Sequence, residues 1–267
     1  MTGGAPRAGR SVTRDSPARK IVVDAGAAAA RRHAIPAWFA ADVTDVLPRL
    51  GRDAGVSVSA YVASTLAHAV AAHPRLHAIR DPRGRVVTFD SVDVNMTVEI
   101  TLDGQSFPMN HVLRGADTRS ATDVHREIHE VKADPGRSET LRMSGGTQWY
   151  LRVPAPVRQR VMMGTLHRLP SLQRRLIGTV GLTSVGMHGS GSGLGVPFLL
   201  HTLDVLVGGL EDRPGFAPDG QVVPRQYLWV SMVVDHDVVD GVPLARFIVA
   251  FRDGLESGAA LEQGQQA

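Results

Sequence analysis

Cysteine is absent from this chain of 267 residues, and its absence excludes several chemistries at once. No disulfide, thiolate metal site or cysteine nucleophile can form, so any catalytic group must come from other side chains. Aromatic residues are sparse as well, at 5% of the chain. No apolar run is long enough to span a bilayer, and the basic N-terminus lacks the apolar core of a secretory signal.

The charge of the chain is close to balanced, with 29 lysine and arginine residues against 26 acidic residues. Proteins that bind nucleic acids usually concentrate basic charge on one face. The densest basic cluster here, at Arg168, Arg174 and Arg175, lacks the interleaved aromatic side chains of a single-strand platform. We therefore expect no nucleic-acid partner and no membrane partner, and we expect a cytoplasmic protein.

The composition predicts one large domain between two tails. Residues 1–18 are rich in Gly, Pro, Ser and Arg, which is typical of a disordered tail. Residues 19–260 are long enough for a single catalytic domain, and residues 261–267 form a polar C-terminal tail.

Helical spacing is clearest in two segments. The apolar residues of VSVSAYVASTLAHAVAAHP recur at helical intervals, and Pro74 marks the end of that helix. SATDVHREIHEVKA has the same spacing, with Ser120 or Thr122 as its N-cap. A shorter helix is predicted over DAGAAAARRHA, ended by Pro36.

Strand patterns fill much of the remaining chain. The turn sequence DPRG precedes RVVTF, and LDGQ separates SVDVNMTVEI from SFPMNHVL, so all three segments are predicted strands. EDRPGFAPDG predicts a loop or hairpin turn, and QYLWVSMVV predicts a long strand before a final helix with Pro243 in its first turn. Because regular strand–helix alternation is missing, the sequence predicts an α/β sandwich on one large mixed sheet.

The stretch VVDHDVVDG, residues 233–241, places His236 between the last strand and the last helix. A histidine at a strand end is often a packed structural residue, but its titration range also suits acid–base catalysis. Asp240 can pair with a cation or cap the following helix. Gly241 permits close backbone approach or a positive φ. The spacing His-x-x-x-Asp-Gly makes these three residues candidates for a site.

A glycine-rich stretch covers residues 178–210 but contains neither of the common phosphate-binding glycine patterns. A strand through Val180, Leu182 and Val185 is the simpler interpretation. Thr183, taken by itself, is an ordinary strand threonine.

VSMVVDHDVVDGVPLARFI resembles the active-site segment of the dihydrolipoyl acyltransferase family, the catalytic cores of 2-oxo acid dehydrogenase complexes. Chloramphenicol acetyltransferase shares that fold and the same signature. GTVGLTSVGMHG is similar to a glycine-rich segment of the family, and the resemblance covers most of residues 35–132 and 178–257. It implies a chloramphenicol acetyltransferase-like two-layer sandwich with a large mixed β-sheet and flanking helices.

The resemblance also implies roles for individual residues. His236 would be the general base, and Thr183 would donate a hydrogen bond to the tetrahedral oxyanion, with the adjacent Ser184 as fallback. Asp240 would organise the site through an ion pair with an arginine, for which Arg19 is a poor match. Gly241 would support the turn.

Coenzyme A, brought as acetyl-CoA, is the implied co-substrate, and no metal is expected. Arg114 and Arg119, in LRGADTRS, occupy a turn that resembles the CoA-facing turn of the family. Arginine suits phosphate through its planar fork of donors, but both residues are equally well explained as solvated surface arginines.

Two features depart from the family pattern. Asp237 stands where the family usually has arginine after the histidine, and the connection over residues 133–177 is longer and more helical. The resemblance implies a homotrimer in which His236 of one chain faces Thr183 of its neighbour.

The predicted function is that of a stand-alone acetyltransferase. It would move acetyl from acetyl-CoA to a hydroxyl of a small specialised metabolite, for example a tetronate or polyketide intermediate, free or bound to a carrier protein. Two alternatives stay open: the dihydrolipoamide acyltransferase core of a 2-oxo acid dehydrogenase complex, and a catalytically silent trimeric scaffold. Fold-level analogy alone does not choose among them.

Overall fold

The computed structural model describes residues 17–51, 54–102, 105–139, 152–160, 168–184 and 193–262. Helices α1 to α7 span Pro17–Ala29, Val58–Ala71, Ala121–Ala133, Ala155–Arg158, Pro170–Ile177, Gly241–Ser257 and Ala259–Glu262. Strands β1 to β8 span Ala34–Asp42, Ile79–Arg80, Val86–Val87, Val94–Leu102, Gln105–Leu113, Val180–Ser184, Leu203–Phe216 and Val222–Asp235. Within these ranges, no helix combines the length and the apolar character that crossing a membrane requires.

The large sheet is mixed, as the sequence predicts. Its six strands lie in the order β1-β8-β7-β6-β4-β5. Strand β6 runs parallel to both of its neighbours, β7 and β4, while the other pairs are antiparallel. Strands β2 and β3 form a separate two-stranded ribbon. The predicted α/β architecture with flanking helices is therefore confirmed.

The hydrophobic core lies between one face of this sheet and the helices. Leu182, Val205 and Met232, from three adjacent strands, are at most 2% exposed and belong to the core cluster. Phe247 and Phe251 of α6 are fully buried in the same cluster. Each such side chain contributes about 1.5–3 kcal/mol through burial. Because side chains alternate along a strand, the residues between the core positions point to the opposite face.

The two clearest helix predictions are confirmed at their starts. Ser57 precedes α2 and accepts a hydrogen bond from the Ala60 amide at 3.3 Å. Ser120 precedes α3 and accepts one from the Asp123 amide at 3.1 Å, so Ser120 is the cap and Thr122 lies inside the helix. Local sequence sets both boundaries because the capping side chain satisfies a free amide.

The predicted helix ending at Pro36 is wrong at its C-terminal end. Helix α1 stops at Ala29, and strand β1 begins at Ala34 with Pro36 inside it. Strand β1 lies at the edge of the sheet and pairs with β8 alone. An edge strand tolerates proline because the missing amide hydrogen is not needed on its outer side.

The segment EDRPGFAPDG forms the hairpin turn that was one of its two predicted alternatives, but the turn is shorter than the segment. Strand β7 continues to Phe216 and pairs there with Val222 of β8, so only residues 217–221 form the turn. Among the described residues, no strand outside the hairpin pairs with β7 beyond Val207 or with β8 before Tyr227. Pro214 faces Pro224 across the hairpin, and a two-stranded arm can accept both prolines.

The predicted tails fall mostly outside the described residues. Only residues 17–18 of the N-terminal tail are described, as the first turn of α1, and only residues 261–262 of the C-terminal tail, in α7. In the long connection over residues 133–177, α4 and α5 are the described helices, and Pro170 begins α5.

Candidate active site

His236 lies at the junction predicted from the sequence, directly after β8 ends at Asp235. Its backbone amide donates to the carbonyl of His33 at 2.8 Å, which ties the junction to the start of β1. The imidazole itself is 53% exposed. The backbone therefore holds His236 in place while its ring stays open to solvent.

An ion pair braces the strand end beneath His236. The guanidinium of Arg32 donates to Asp235 at 3.1 Å and to the carbonyl of His201 at 2.9 Å. The other oxygen of Asp235 accepts from the amide of Asp237 at 3.1 Å. Burial lowers the pKa of Arg32, and the charge of Asp235 opposes that shift. This brace, which the sequence reasoning missed, fixes the turn that carries His236.

Asp240 has a different partner from the one predicted. Its carboxylate lies 3.7 Å from Nδ1 of His236, and no arginine of the described residues reaches within ion-pair distance of it. The arginine partner that the resemblance implies for Asp240 is therefore not found among the described residues, and Arg19, already a poor match, does not supply it. Arg32, the arginine beside this turn, holds Asp235 instead. Asp240 occupies the N-cap position of α6, but its side chain makes no capping hydrogen bond.

Gly241 does not need to be glycine for the reason predicted. It is the first residue of α6, it is absent from the positive-φ glycines of the described chain, and an added Cβ would meet no atom within 4 Å. Asp237, the departure from the family pattern, contacts Nδ1 of His33 at 3.1 Å.

Thr183 lies on β6 and faces away from the helical layer. Its hydroxyl is 3.4 Å from that of Thr97, and Thr97 in turn donates to Oδ1 of Asn110 at 3.3 Å. Ser184 is the next residue along the strand, so its side chain points to the helical face. As a fallback for the same position, Ser184 therefore faces the wrong way.

A cavity of about 270 Å³ opens beside Thr183 on this outer face. Its polar lining comes from Asn95, Thr97, Asn110, Thr183, His201 and Asp204, and its apolar lining comes mainly from residues 196–200 and Leu206. Of this group only Thr183 was predicted as a site residue, because the members come from four strands and a loop that meet only in the folded chain.

His201 and Asp204 form a buried pair at the back of the cavity. Nδ1 of His201 lies 2.7 Å from Asp204, and Nε2 lies 2.6 Å from the carbonyl of Ile177. A Cβ on Gly181 would come within 1.9 Å of the Asp204 carboxylate. Glycine is therefore required at position 181 because the carboxylate occupies the space of a side chain.

Thr183 and His236 do not meet within one chain. Thr183 lies opposite Leu206, which lies opposite Ser231 on β8. His236 follows Ser231 by about 16 Å of extended chain, and two strand spacings add about 10 Å sideways, which gives a separation of roughly 19 Å. The two predicted catalytic residues are thus on one sheet but at different places.

Arg114 and Arg119 both have partners inside the chain. Arg114 donates to Asp93 at 3.1 Å and to the carbonyl of Arg174 at 2.8 Å, in the last turn of α5. Burial opposes ionisation of Asp93, but hydrogen bonds led by that from Arg174 keep its pKa below the ordinary value. Arg119 pairs with Glu127 at 2.5 Å. Their predicted contact with coenzyme A stays a prediction, and the observed contacts explain both residues structurally.

Comparison with known proteins points to the segment that contains Thr183 and His236. Residues 177–262 match the family of 2-oxoacid dehydrogenases acyltransferase (catalytic domain). The dihydrolipoyllysine-residue succinyltransferase component of the 2-oxoglutarate dehydrogenase complex of Cupriavidus necator is 26% identical over 152 residues, 56% of this chain. The lipoamide acyltransferase component of the mitochondrial branched-chain alpha-keto acid dehydrogenase complex of Arabidopsis thaliana is 30% identical over 79 residues, 30% of this chain. These matches cover only 29% and 16% of the relatives' own lengths.

Solved structures show the likeness of the whole fold. The dihydrolipoamide acetyltransferase of Azotobacter vinelandii matches with a TM-score of 0.68 at 16% identity, over 98% of this chain and 99% of that one. A chloramphenicol acetyltransferase matches with a TM-score of 0.52 at 14% identity, over 91% and 96%. Residues 177–262 of this chain thus resemble the catalytic domain of the 2-oxoacid dehydrogenase acyltransferases, and the whole chain has the fold shared by such catalytic cores and chloramphenicol acetyltransferase.

Proposed function

We propose that this chain transfers an acetyl group from acetyl-CoA to a hydroxyl group of a small molecule. The observation that carries the proposal is the placement of His236 and Thr183 within the segment that matches the acyltransferase family. His236 is an exposed imidazole on a braced turn, and Thr183 lines a polar cavity.

The proposed reaction begins with His236. Its free imidazole nitrogen takes the proton of the acceptor hydroxyl as the oxygen attacks the thioester carbonyl of acetyl-CoA. The new carbon–oxygen bond gives a tetrahedral oxyanion, and the carbon–sulfur bond then breaks. The leaving thiolate takes the proton from the imidazolium, so acetyl ester and CoA thiol are the products. Such acid–base catalysis contributes about 10²–10⁴-fold.

Thr183 stabilises the oxyanion in this proposal. Its hydroxyl hydrogen points toward Thr97 or into the cavity by rotation about one bond, so it can follow the charge as it develops. A donor of this kind contributes about 10²–10³-fold. The Azotobacter vinelandii enzyme has been investigated for the catalytic roles of a serine, a histidine and an asparagine. Thr183, His236 and Asp240 would supply a hydroxyl, an imidazole and a carboxylate here.

The separation of roughly 19 Å across the sheet implies that the two residues act in different subunits. We propose a homotrimer in which His236 of one chain reaches into the cavity beside Thr183 of its neighbour. Exposed apolar side chains on the outer face of the sheet and beside the cavity, Trp38, Val196 and Phe198, supply surface for such an interface. They are 61%, 66% and 52% exposed in the single chain.

The cavity chemistry favours a hydroxyl acceptor. Asn95, Thr97 and Asn110 offer amide and hydroxyl groups beside Thr183. Such groups both donate and accept hydrogen bonds, which suits a hydroxylated molecule better than the apolar chain of a dithiol. A carrier protein can present the same hydroxyl.

A second candidate function is transfer to dihydrolipoamide. The Cupriavidus necator and Arabidopsis thaliana relatives are components of 2-oxo acid dehydrogenase complexes, and this observation favours a lipoyl acceptor. The two candidates share the donor, the base and the oxyanion donor, so they differ only in the acceptor.

The deciding experiment measures thiol release from acetyl-CoA by the wild type and by His236→Ala. Dihydrolipoamide and a set of hydroxylated small molecules are offered to both proteins, and acetylated products are identified by mass spectrometry. We expect acetyl esters with the wild type and a loss of about 10²–10⁴-fold in the variant.

Transfer to dihydrolipoamide alone would establish the second candidate. Equal thiol release by the wild type and His236→Ala with every acceptor would contradict both candidates and leave a silent scaffold. His33→Ala is the matched control, because His33 is an exposed histidine of the neighbouring strand start that the proposed mechanism does not use.

A further inference from the structure

We infer that the acceptor is an uncharged molecule recognised by hydrogen bonds, and that the cavity disfavours carboxylates, phosphates and acidic rings such as tetronates. The inference rests on the proposed function, since it concerns the acceptor of the same site. It narrows the predicted class of metabolite to neutral alcohols such as polyketide intermediates without an acidic group.

A row of uncharged polar residues crosses the cavity. Asn95 and Thr97 of β4 and Asn110 of β5 stand on the face that also carries Thr183. We call these four residues the neutral strip. Thr97 is within 3.3 Å of Asn110 and 3.4 Å of Thr183, so the strip is continuous from β5 to β6. It presents donors and acceptors to a ligand at several points without a formal charge.

Asn95 adds to the neutral strip a buried hydrogen-bond acceptor that no described residue satisfies. The residue is only 8% exposed, yet its Oδ1 atom has no hydrogen-bond partner among the residues that the structure describes. A buried carbonyl oxygen without a donor costs about 1–3 kcal/mol. A hydroxyl or amide hydrogen on a ligand would satisfy that oxygen, whereas a carboxylate or phosphate dianion brings only acceptors.

The charges around the cavity disfavour an anion. No lysine or arginine is among the described residues that line it, while Asp204 is. An anion that enters would lose its hydration without gaining a countercharge, which is unfavourable in a half-buried site.

His201 does not supply the missing positive contact. Both of its ring nitrogens are already engaged, Nδ1 with Asp204 at 2.7 Å and Nε2 with the carbonyl of Ile177 at 2.6 Å. The ring is 1% exposed, so it cannot turn to meet a ligand without breaking this pair. The back of the cavity is therefore closed to an anionic group.

Apolar side chains complete the lining of the cavity. Val196, Phe198 and Leu206 contribute to it, and Leu206 lies directly beside Thr183 on the neighbouring strand. A ligand that fits this lining carries both hydroxyl groups and a hydrocarbon part. At about 270 Å³, the cavity lies near the lower end of the range of about 300–1,000 Å³ for small-molecule sites.

The test uses matched pairs of acceptors that differ only in charge. The pairs are glycolamide with glycolate, lactamide with lactate, and dihydrolipoamide with dihydrolipoate, assayed with acetyl-CoA near pH 7.5, where a carboxyl group with a pKa of about 4 is ionised. We expect the neutral member of each reactive pair to have a kcat/KM at least about tenfold higher, because a desolvated unpaired charge is costly. Choline is added as a cationic alcohol.

Variants sharpen the test by changing the charge of the strip. Asn110→Lys introduces a cation at an exposed position of the strip and should narrow or reverse the preference for the neutral member. Asn110→Gln keeps an amide and should retain the preference. Gln226→Lys adds the same charge on the exposed arm of β7 and β8, and it should leave the preference unchanged.

Turnover and binding separate this inference from the proposed function. If no member is acetylated, the proposed function fails, and calorimetric titration of the same pairs decides the inference independently. Binding of the neutral member and not of the acid supports it. Equal or better use or binding of the acids, a preference for choline over glycolamide, or no binding of any neutral member at its solubility limit overturns it.

Discussion

The two ends of the proposed reaction are held in very different surroundings. Around His236, ionisable groups crowd an open surface: Asp237 and Asp240 flank the imidazole, and His33 faces Asp237. Around Thr183, neutral amides and hydroxyls line a half-buried cavity. In the single chain the base is open to solvent, whereas the oxyanion donor lies where water is partly excluded, which suits a donor of this kind. The proposed trimer would bring the base of one chain into the cavity of the next.

The sharpest way to break this comparison is to remove the hydroxyl from the cavity. Thr183→Val keeps the shape of the side chain and should lower kcat by about 10²–10³-fold, because the oxyanion loses its donor. Ser184→Ala, on the helical face of the same strand, should change kcat by less than about threefold. Steady-state kinetics with acetyl-CoA measure both. Equal losses in the two variants would contradict the assignment of Thr183 over Ser184.

The turn that carries His236 depends on the buried ion pair of Arg32 and Asp235, and the free energy of unfolding measures that dependence. Arg32→Met leaves the carboxylate of Asp235 buried without its partner, which should cost about 3 kcal/mol of unfolding free energy. Arg252→Met removes an exposed pair with Asp253 and should cost less than about 1 kcal/mol. Urea unfolding compares the two variants. Similar costs would mean that the brace is not a buried ion pair in solution.

Subunit mixing tests whether the two regions meet between chains. Trimers of His236→Ala and trimers of Thr183→Val should each be inactive, but each retains the half-site that the other lacks. Random reassembly of equal amounts places both intact residues at about one quarter of the interfaces, so about a quarter of wild-type activity should return. Thiol release after unfolding and refolding the mixture measures it. No recovery from a verified mixed trimer would place the complete site in one chain.

The smallest expected effect is on the pH dependence of stability. Measuring it prevents a loss of folded protein at acid pH from being assigned to the region around His236. Burial lowers the pKa of His77, which is 2% exposed and has an unpartnered Nδ1. His77 therefore binds a proton more readily in the unfolded chain than in the folded chain. Stability is therefore fully present above about pH 6.5 and falls, at up to about 1.4 kcal/mol per pH unit, as the pH drops toward the folded pKa.

His77→Gln should flatten this decline when unfolding free energies are measured between pH 5 and 7, roughly the range in which histidine titrates. An unchanged slope would show that other groups cause it. With the stability known, an acid loss of activity at fixed folded fraction reports on the open surface around His236.

Much of the fold could be predicted from the sequence because apolar periodicity and helix caps agree with the packing of the folded chain. Periodic apolar residues and the caps Ser57 and Ser120 define α2 and α3. The sequence predicted a wrong boundary where proline stands inside a strand, as Pro36 does in β1. This proline is tolerated because β1 lies at the edge of the assembled sheet, which a single sequence does not state.

The candidate site could be predicted from the sequence only in part, for a related reason. The motif located His236, and the resemblance located Thr183. The brace joins Arg32 to Asp235 across 203 residues of sequence, and the neutral strip joins β4, β5 and β6. Contacts of this kind depend on strand order and register, which a single sequence does not state.

The contacts of Arg32 have a consequence for an assembly of three chains. Its guanidinium holds Asp235, next to the base, and also the carbonyl of His201, at the back of the cavity in the same chain. In the proposed trimer, those two places serve two different active sites. The side chain of Arg32 thus connects two neighbouring active sites of the trimer. A ligand that shifts His201 in one site would also move Asp235, which supports the base of the next site.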